Sequence, residues 1–511
     1  MYLKFVQVQL LIISIRMYQS ISIFYKFNFN CFKNKNQGNS SYPEMVYRGY
    51  NTKIILIGAT MKHNPNASVL TQADTNEYTQ FVEAMLAQAK QQGATAAEVG
   101  ASLETGFSVQ VRMGEVETVE FNRDKGVGLT VYFGKRKGSA STSDTSLQAI
   151  AETVAAACHI ARYTSEDDCA GLADKDLLAF SYPDLDLYHP WSIDTEHAIE
   201  MAKECEAAGR NFDKRISNSE GASVATYQSL TAYGNSDGFI GTFLSSRHSV
   251  QCSLLAQNER GMQRDYEYSV AREANLLLPP SEIGRKAAEK TVARLGARRL
   301  KTQKVPVIFS NEMATGLISR FLTAIRGSSL YRKSTFLLDQ LNKPVFAPHI
   351  NIYERPHIPR ALGSSPFDNE GVMAHDRSLV EDGILKEYIL STYSARKLGL
   401  RSTGNAGGVY NIMLDTSDKD LAALIKTMGR GLLVTEVMGQ GVNIVTGDYS
   451  RGASGFWIEN GAIQFPVEEI TIAGNLKDML RQIVYIGNDI NRNSTIVTGS
   501  ILIEEMMVAG E

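Results

Sequence analysis

The chain has 511 residues, 43% of them hydrophobic and 21% charged, with a formal net charge of -3. That balance excludes a protein built mainly to hold nucleic acid and excludes a largely disordered one. Five cysteines without a CxxC pair argue against a disulfide framework and for a reducing, cytoplasmic compartment.

Residues 1–60 stand apart. Half of them are Ile, Asn, Lys, Phe or Tyr, with one alanine (Ala59) and one acid (Glu44) against seven Lys and Arg. The apolar run Phe5–Ile15 is shorter than the roughly 20 residues that span a bilayer. The composition predicts a non-native upstream extension, with the functional chain beginning at Met61. A membrane or targeting role is the alternative, and no membrane partner is expected.

From Met61 onward the expected class is α+β in three domains. In the first, residues 61–165, Asp74 precedes a helical apolar stripe of Tyr78, Phe81, Val82, Met85, Leu86 and Ala89, closed by Gly93. Period-two alternation from Phe107 to Phe133 predicts an antiparallel meander, and a second helix follows Asp144. Tyr182–Pro190 reads as an extended linker. Asp194 then caps a helix to about Arg210, and glycine-separated strands fill a β-rich middle domain, 166–280.

The large mixed α/β C-terminal domain covers 281–511. Val305–Phe309 is a short buried strand, and Asn311 opens a helix carrying Leu317, Ile318, Phe321, Leu322 and Ile325. Asp382-Gly383 and Asn460-Gly461 each predict a type I′ hairpin turn, which needs positive φ at two successive residues.

Motifs for self-contained chemistry are sparse. None of the eight histidines precedes a glutamate, so HExxH is missing; His197 with Glu200 and Glu204 reads as a solvated helix face. No GxSxG elbow occurs, and Ser394-Ala-Arg-Lys397 reads as a cap and surface charge. The glycines of 404–408, 439–441 and 447–455 fit no phosphate loop. They serve tight turns, or loops that a peptide or partner backbone approaches closely.

Several ordered blocks are more specific. They include Phe367-Asp-Asn-Glu-Gly-Val372, Tyr393-Ser-Ala-Arg-Lys-Leu-Gly399, Ser402-Thr-Gly-Asn-Ala-Gly-Gly408, Met438-Gly-Gln-Gly-Val442, Gly447-Asp-Tyr-Ser-Arg-Gly452 and Glu468-Glu-Ile-Thr-Ile-Ala-Gly-Asn-Leu-Lys-Asp-Met479. From about residue 95 to the end, the chain resembles the PmbA/TldD family, in its PmbA (TldE) branch, known earlier as modulators of DNA gyrase. The resemblance implies a heterodimeric metalloprotease acting on unfolded or small peptides, in leader removal and antitoxin turnover. Its TldD-type partner carries zinc on an HExxxH helix, with a cysteine ligand near its C-terminus.

Here the corresponding segment is Ser310-Asn-Glu-Met-Ala-Thr315, where Glu312 is the one ligand candidate, and no cysteine follows Cys252. The expectation is therefore a zinc-free subunit with no cofactor and no catalytic residue of its own. Gly404, Gly407, Gly408, Gly439, Gly441, Asp448 and Arg451 are the candidate peptide or partner loops. Two alternatives stay open. One is a self-sufficient metallopeptidase using His349, His357 and His375; the other is a non-enzymatic adaptor that binds an antitoxin or gyrase.

Overall fold

The computed structural model describes residues 69–510. The expectations for residues 1–60 lie outside the described residues. No helix among those described is long and apolar enough to cross a membrane.

The first half is organised by strands of unusual length. Helix α1 (Gln72–Gln91) leads into β1 (Ala96–Arg112), β2 (Glu115–Phe133) and β3 (Arg136–Thr142), followed by α2 (Leu147–Tyr163). After an irregular stretch come α3 (Thr195–Arg210), β4 (Ile216–Asn235), β5 (Ile240–Asn258), β6 (Gly261–Ala271) and α4 (Pro280–Ala293). The six strands form one antiparallel sheet in the order β3-β2-β1-β4-β5-β6. Strands from both sides of the boundary placed at 165/166 thus share one sheet.

Alternation along β1 explains how the sheet is covered. Ala97, Val99, Ala101 and Leu103 pack in one apolar cluster with residues of α1 and α2. Val109 and Val111, in the same phase, pack in a second cluster with residues of α3 and α4. Successive strand residues point to opposite faces, so all four helices lie on one face, in two pairs along the strand axis. Each fully buried valine contributes about 1.5–3 kcal/mol.

At α1 the helix starts earlier than Asp74 predicts: Thr71 is the cap, and Asp74, the third helical residue, accepts from Thr71 N at 2.8 Å. Asp194 accepts from His197 N at 2.8 Å and caps α3. The cap of α2 is Ser146, whose Oγ accepts from Ala149 N, while Asp144 accepts from Ser146 N one step earlier.

The second half carries two smaller sheets. Its elements begin with β7 (Gln303–Phe309), α5 (Asn311–Ala324), α6 (Gly327–Tyr331), β8 (Ile352–Glu354), β9 (Arg377–Glu381), β10 (Ile384–Leu385) and α7 (Thr392–Lys397). They continue with β11 (Ile412–Leu414), α8 (Leu421–Met428), β12 (Gly431–Met438), β13 (Asp448–Glu459) and β14 (Ala462–Asn475). The last are α9 (Leu476–Arg481), β15 (Ile483–Ile486), β16 (Ile496–Val497) and β17 (Ile501–Ala509).

One sheet runs β10-β9-β8-β11-β16 and the other β14-β13-β12-β7-β17-β15. Strand β7 is central, parallel to β12 and antiparallel to β17. An additional pairing of β14 with β17 joins the ends of the run β14-β13-β12-β7-β17 into a ring, which leaves β15 as the outer strand. Val305, Val307 and Phe309 enter the large C-terminal core, while Ile308 belongs to a separate cluster with Leu424 and Ile425 of α8. The architecture is the expected multidomain α+β mixture. Both hairpin turns form as the dipeptides require, with φ of 50° and 75° at Asp382-Gly383 and 55° and 70° at Asn460-Gly461.

Candidate functional site

The junction of β7 and α5 places Glu312 in the first turn of a helix, where the amide dipoles favour a negative charge. A lysine already holds that carboxylate. Lys290 of α4 donates to Glu312 Oε1 at 2.7 Å and lies 2.9 Å from Glu267 Oε2 of β6. Burial disfavours the ammonium, but the charges of Glu312 and Glu267 outweigh it and hold its pKa above the usual lysine range. One turn on, at the C-cap of α4, Arg294 joins Asp265 of β6 at 3.3 Å to Glu436 of β12 at 2.5 Å. Two cations and four carboxylates therefore tie β6, α4, α5 and β12 together.

The donor set at this junction is two carboxylates with an internal ammonium between them. It lacks the nitrogen or sulfur donors of a three-ligand zinc centre, so these residues do not fit a catalytic zinc. Among the described residues, no three His, Cys, Asp or Glu side chains are arranged to hold a metal ion. His349 and His375 are exposed, and His357 is half-buried, with burial lowering its pKa and its Nε2 left without a partner. His197 is exposed against Asp194, 2.7 Å away. Ser394 belongs to the capping box of α7 with Ser391, and Lys397 pairs with Asp167 at 2.9 Å, so SxxK has no nucleophile–base contact here.

The glycine candidates divide into two places. Gly439, Gly441, Asp448 and Arg451 come together where β12 turns into β13. Ser450 N donates to Gly441 O at 2.7 Å, and a Cβ on Gly441 would lie 1.7 Å from Ser450 O, so the strand crossing requires glycine. Arg451 Nε donates to Met438 O at 3.3 Å. Hydrogen bonds from Thr446 and Asn475 hold the Asp448 carboxyl below its ordinary pKa.

Gly404, Gly407 and Gly408 belong to a separate packed turn. Asp368 Oδ2 accepts from Ala406 N at 2.9 Å, and a Cβ on Gly407 would meet Asn369 Nδ2 at 2.4 Å. The turn is also pinned by Asn405, which donates to Glu354 and accepts from Arg377. Glu354, 1% exposed, and Arg377 form a buried ion pair at 2.7 Å.

Two charged groups escaped the sequence reading. Lys290 and Glu267 sit on an ordinary amphipathic helix and an alternating strand, with no local signal that they converge. Asp368 and Glu370 stood inside a recognised block but carried no predicted role. Burial, with Glu370 as a charged neighbour, raises the Asp368 pKa; burial likewise raises that of Glu370, which accepts from Thr392 N at 2.8 Å.

The chain is similar to known proteins over most of its length. Models for the PmbA/TldA metallopeptidase match in three parts: domain 1 over residues 97–161, the central domain over 188–295 and the C-terminal domain over 302–510. A metalloprotease PmbA homolog of Haemophilus influenzae is 51% identical over 451 residues, covering 88% of this chain and 100% of the relative. A crystal structure from Bacteroides thetaiotaomicron, described as a modulator of DNA gyrase, superposes with a TM-score of 0.81 at 29% identity. It covers 87% of this chain and 100% of that one. TldE from Thermococcus kodakarensis shares the fold with a TM-score of 0.74 at 20% identity, over 84% of this chain and 100% of that one.

Proposed function

The chain belongs to the PmbA/TldD metallopeptidase family, with a role connected to proteolysis, and we propose that it is the zinc-free subunit of a TldD/TldE-type protease. In this reading it pairs with a TldD-type zinc subunit, encloses part of the peptide cleft and shapes access for unfolded or small peptides, including leader peptides and antitoxins. The observation that carries it is the β7–α5 junction. The carboxylate offered there is neutralised by Lys290, which already bridges to Glu267. An ammonium held between two carboxylates supplies neither a Lewis acid nor an activated water. The exposed β12–β13 turn, with Gly439, Gly441, Asp448 and Arg451, presents backbone at the surface and is the better of the two glycine regions for meeting an extended peptide.

The test is cleavage of an unfolded peptide by this chain alone, by a TldD-type subunit from the same source, and by their mixture. An inert chain and a mixture that cuts faster than the zinc subunit alone support the proposal. Chelator-sensitive cleavage by this chain alone, or a mixture no faster than the zinc subunit, would overturn it.

A further inference from the structure

A pocket opens beside the β12–β13 turn, lined by Phe336, Leu337, Gln340, Val345, Lys477 and Arg481. Its position is fixed from several sides. Phe336 N donates to Ile444 O at 2.8 Å, and the Phe336 ring lies under Gly447, where an added Cβ would meet it at 3.3 Å. Arg481 donates to Pro344 O at 3.0 Å, which anchors the guanidinium at the rim beside Val345.

The chemistry of the lining is asymmetric. Phe336, Leu337 and Val345 supply an apolar wall continuous with the C-terminal core. Lys477 and Arg481 are exposed at the rim, and neither forms an ion pair with a carboxylate among the described residues. Gln340 donates its Nε2 to Leu338 O at 3.3 Å, leaving its Oε1 as an acceptor.

An apolar wall, two cations and one carbonyl acceptor match the three parts of a peptide's last residue: side chain, carboxylate and amide N–H. We propose that this pocket binds the C-terminal residue of a peptide that ends in an apolar side chain and a free carboxylate. The proposal deepens the peptide-handling reading, on which it rests for the class of ligand, and it adds an end-recognition site within reach of the glycine turn. A fatty acid shares the carboxylate and the apolar body but has no amide N–H for Gln340.

The experiment is fluorescence polarisation with the full chain and an unstructured peptide, labelled at its N-terminus and ending in leucine. C-terminal amidation should weaken binding by about tenfold or more, and so should K477E/R481E, with K477E, which keeps the Arg481 bond to Pro344 O, as the variant that separates lost binding from a disturbed pocket. N-acetyl-leucine should compete better than decanoate. Equal binding of the amidated peptide, or no loss in the double variant, would overturn the proposal. So would displacement by decanoate as effective as by N-acetyl-leucine, or displacement by inorganic phosphate alone, which would mark a general anion patch. Because no cleavage is read, a negative result leaves the subunit reading standing, and inert mixtures in the cleavage assay leave the pocket standing.

Discussion

The molecule compensates buried and half-buried carboxylates in two different ways. At Glu354 and at the β7–α5 junction each acid faces a cation, Arg377 in the first case and Lys290 in the second. Among the described residues, no cation forms an ion pair with Asp368 or Glu370 of the Phe367–Val372 turn. Asp368 instead accepts from the backbone N–H groups of Glu370, Val372 and Ala406 at 2.8–2.9 Å. A cation compensates a full charge, whereas amide dipoles compensate part of it, so burial wins at Asp368 and raises its pKa. The turn should therefore make stability depend on pH.

The sharpest test of that contrast is Arg377→Met. It strands Glu354 as an uncompensated buried charge and should cost about 3–5 kcal/mol in urea unfolding. A loss below about 1 kcal/mol would mean that Asn405 and the backbone alone satisfy Glu354, and the contrast would collapse. Lys290→Met should cost less, about 1–3 kcal/mol, because Glu267 and Glu312 remain partly solvated.

The smallest effect is the pH response. A carboxyl whose folded pKa is raised stabilises the fold fully below its ordinary value of 3.8–4.5 and loses that contribution as pH rises through the folded value. Melting temperature should therefore fall from mildly acidic to neutral pH. Glu370→Gln keeps the acceptor for Thr392 N but removes the charge, and should flatten that slope. An unchanged slope would place the pH sensitivity elsewhere.

The same contrast marks what could be read from the sequence. The Asp382-Gly383 and Asn460-Gly461 turns, the Asp194 cap and the β7–α5 strand and helix were all legible because their causes are local. Gly439, Gly441 and Asp448 could be associated by proximity, since a single turn joins them. Lys290, Glu267 and Glu312 could not, because they meet only after β6, α4 and α5 have packed. The shared first sheet was hidden for a related reason. β1 lies against β4 although two strands, two helices and a long irregular stretch separate them in the chain. Gly404 and Gly407 look like the other glycines in composition, but their neighbours are Asn369 and Met373, which no spacing rule connects to them.

The ring in the C-terminal half has a consequence for how the protein is made. β7 emerges early, yet one of its two neighbours is the last strand, with Val307 waiting for Ile503. Until that strand leaves the ribosome, a strand of Val, Ile and Phe has one side unpaired and its core incomplete. Such long-range closure is slow and leaves intermediates prone to aggregation. The first sheet is built mostly from neighbouring hairpins and can settle during synthesis. Nascent chains halted before residue 501 should therefore carry a protease-resistant N-terminal half and a C-terminal half that depends on chaperones.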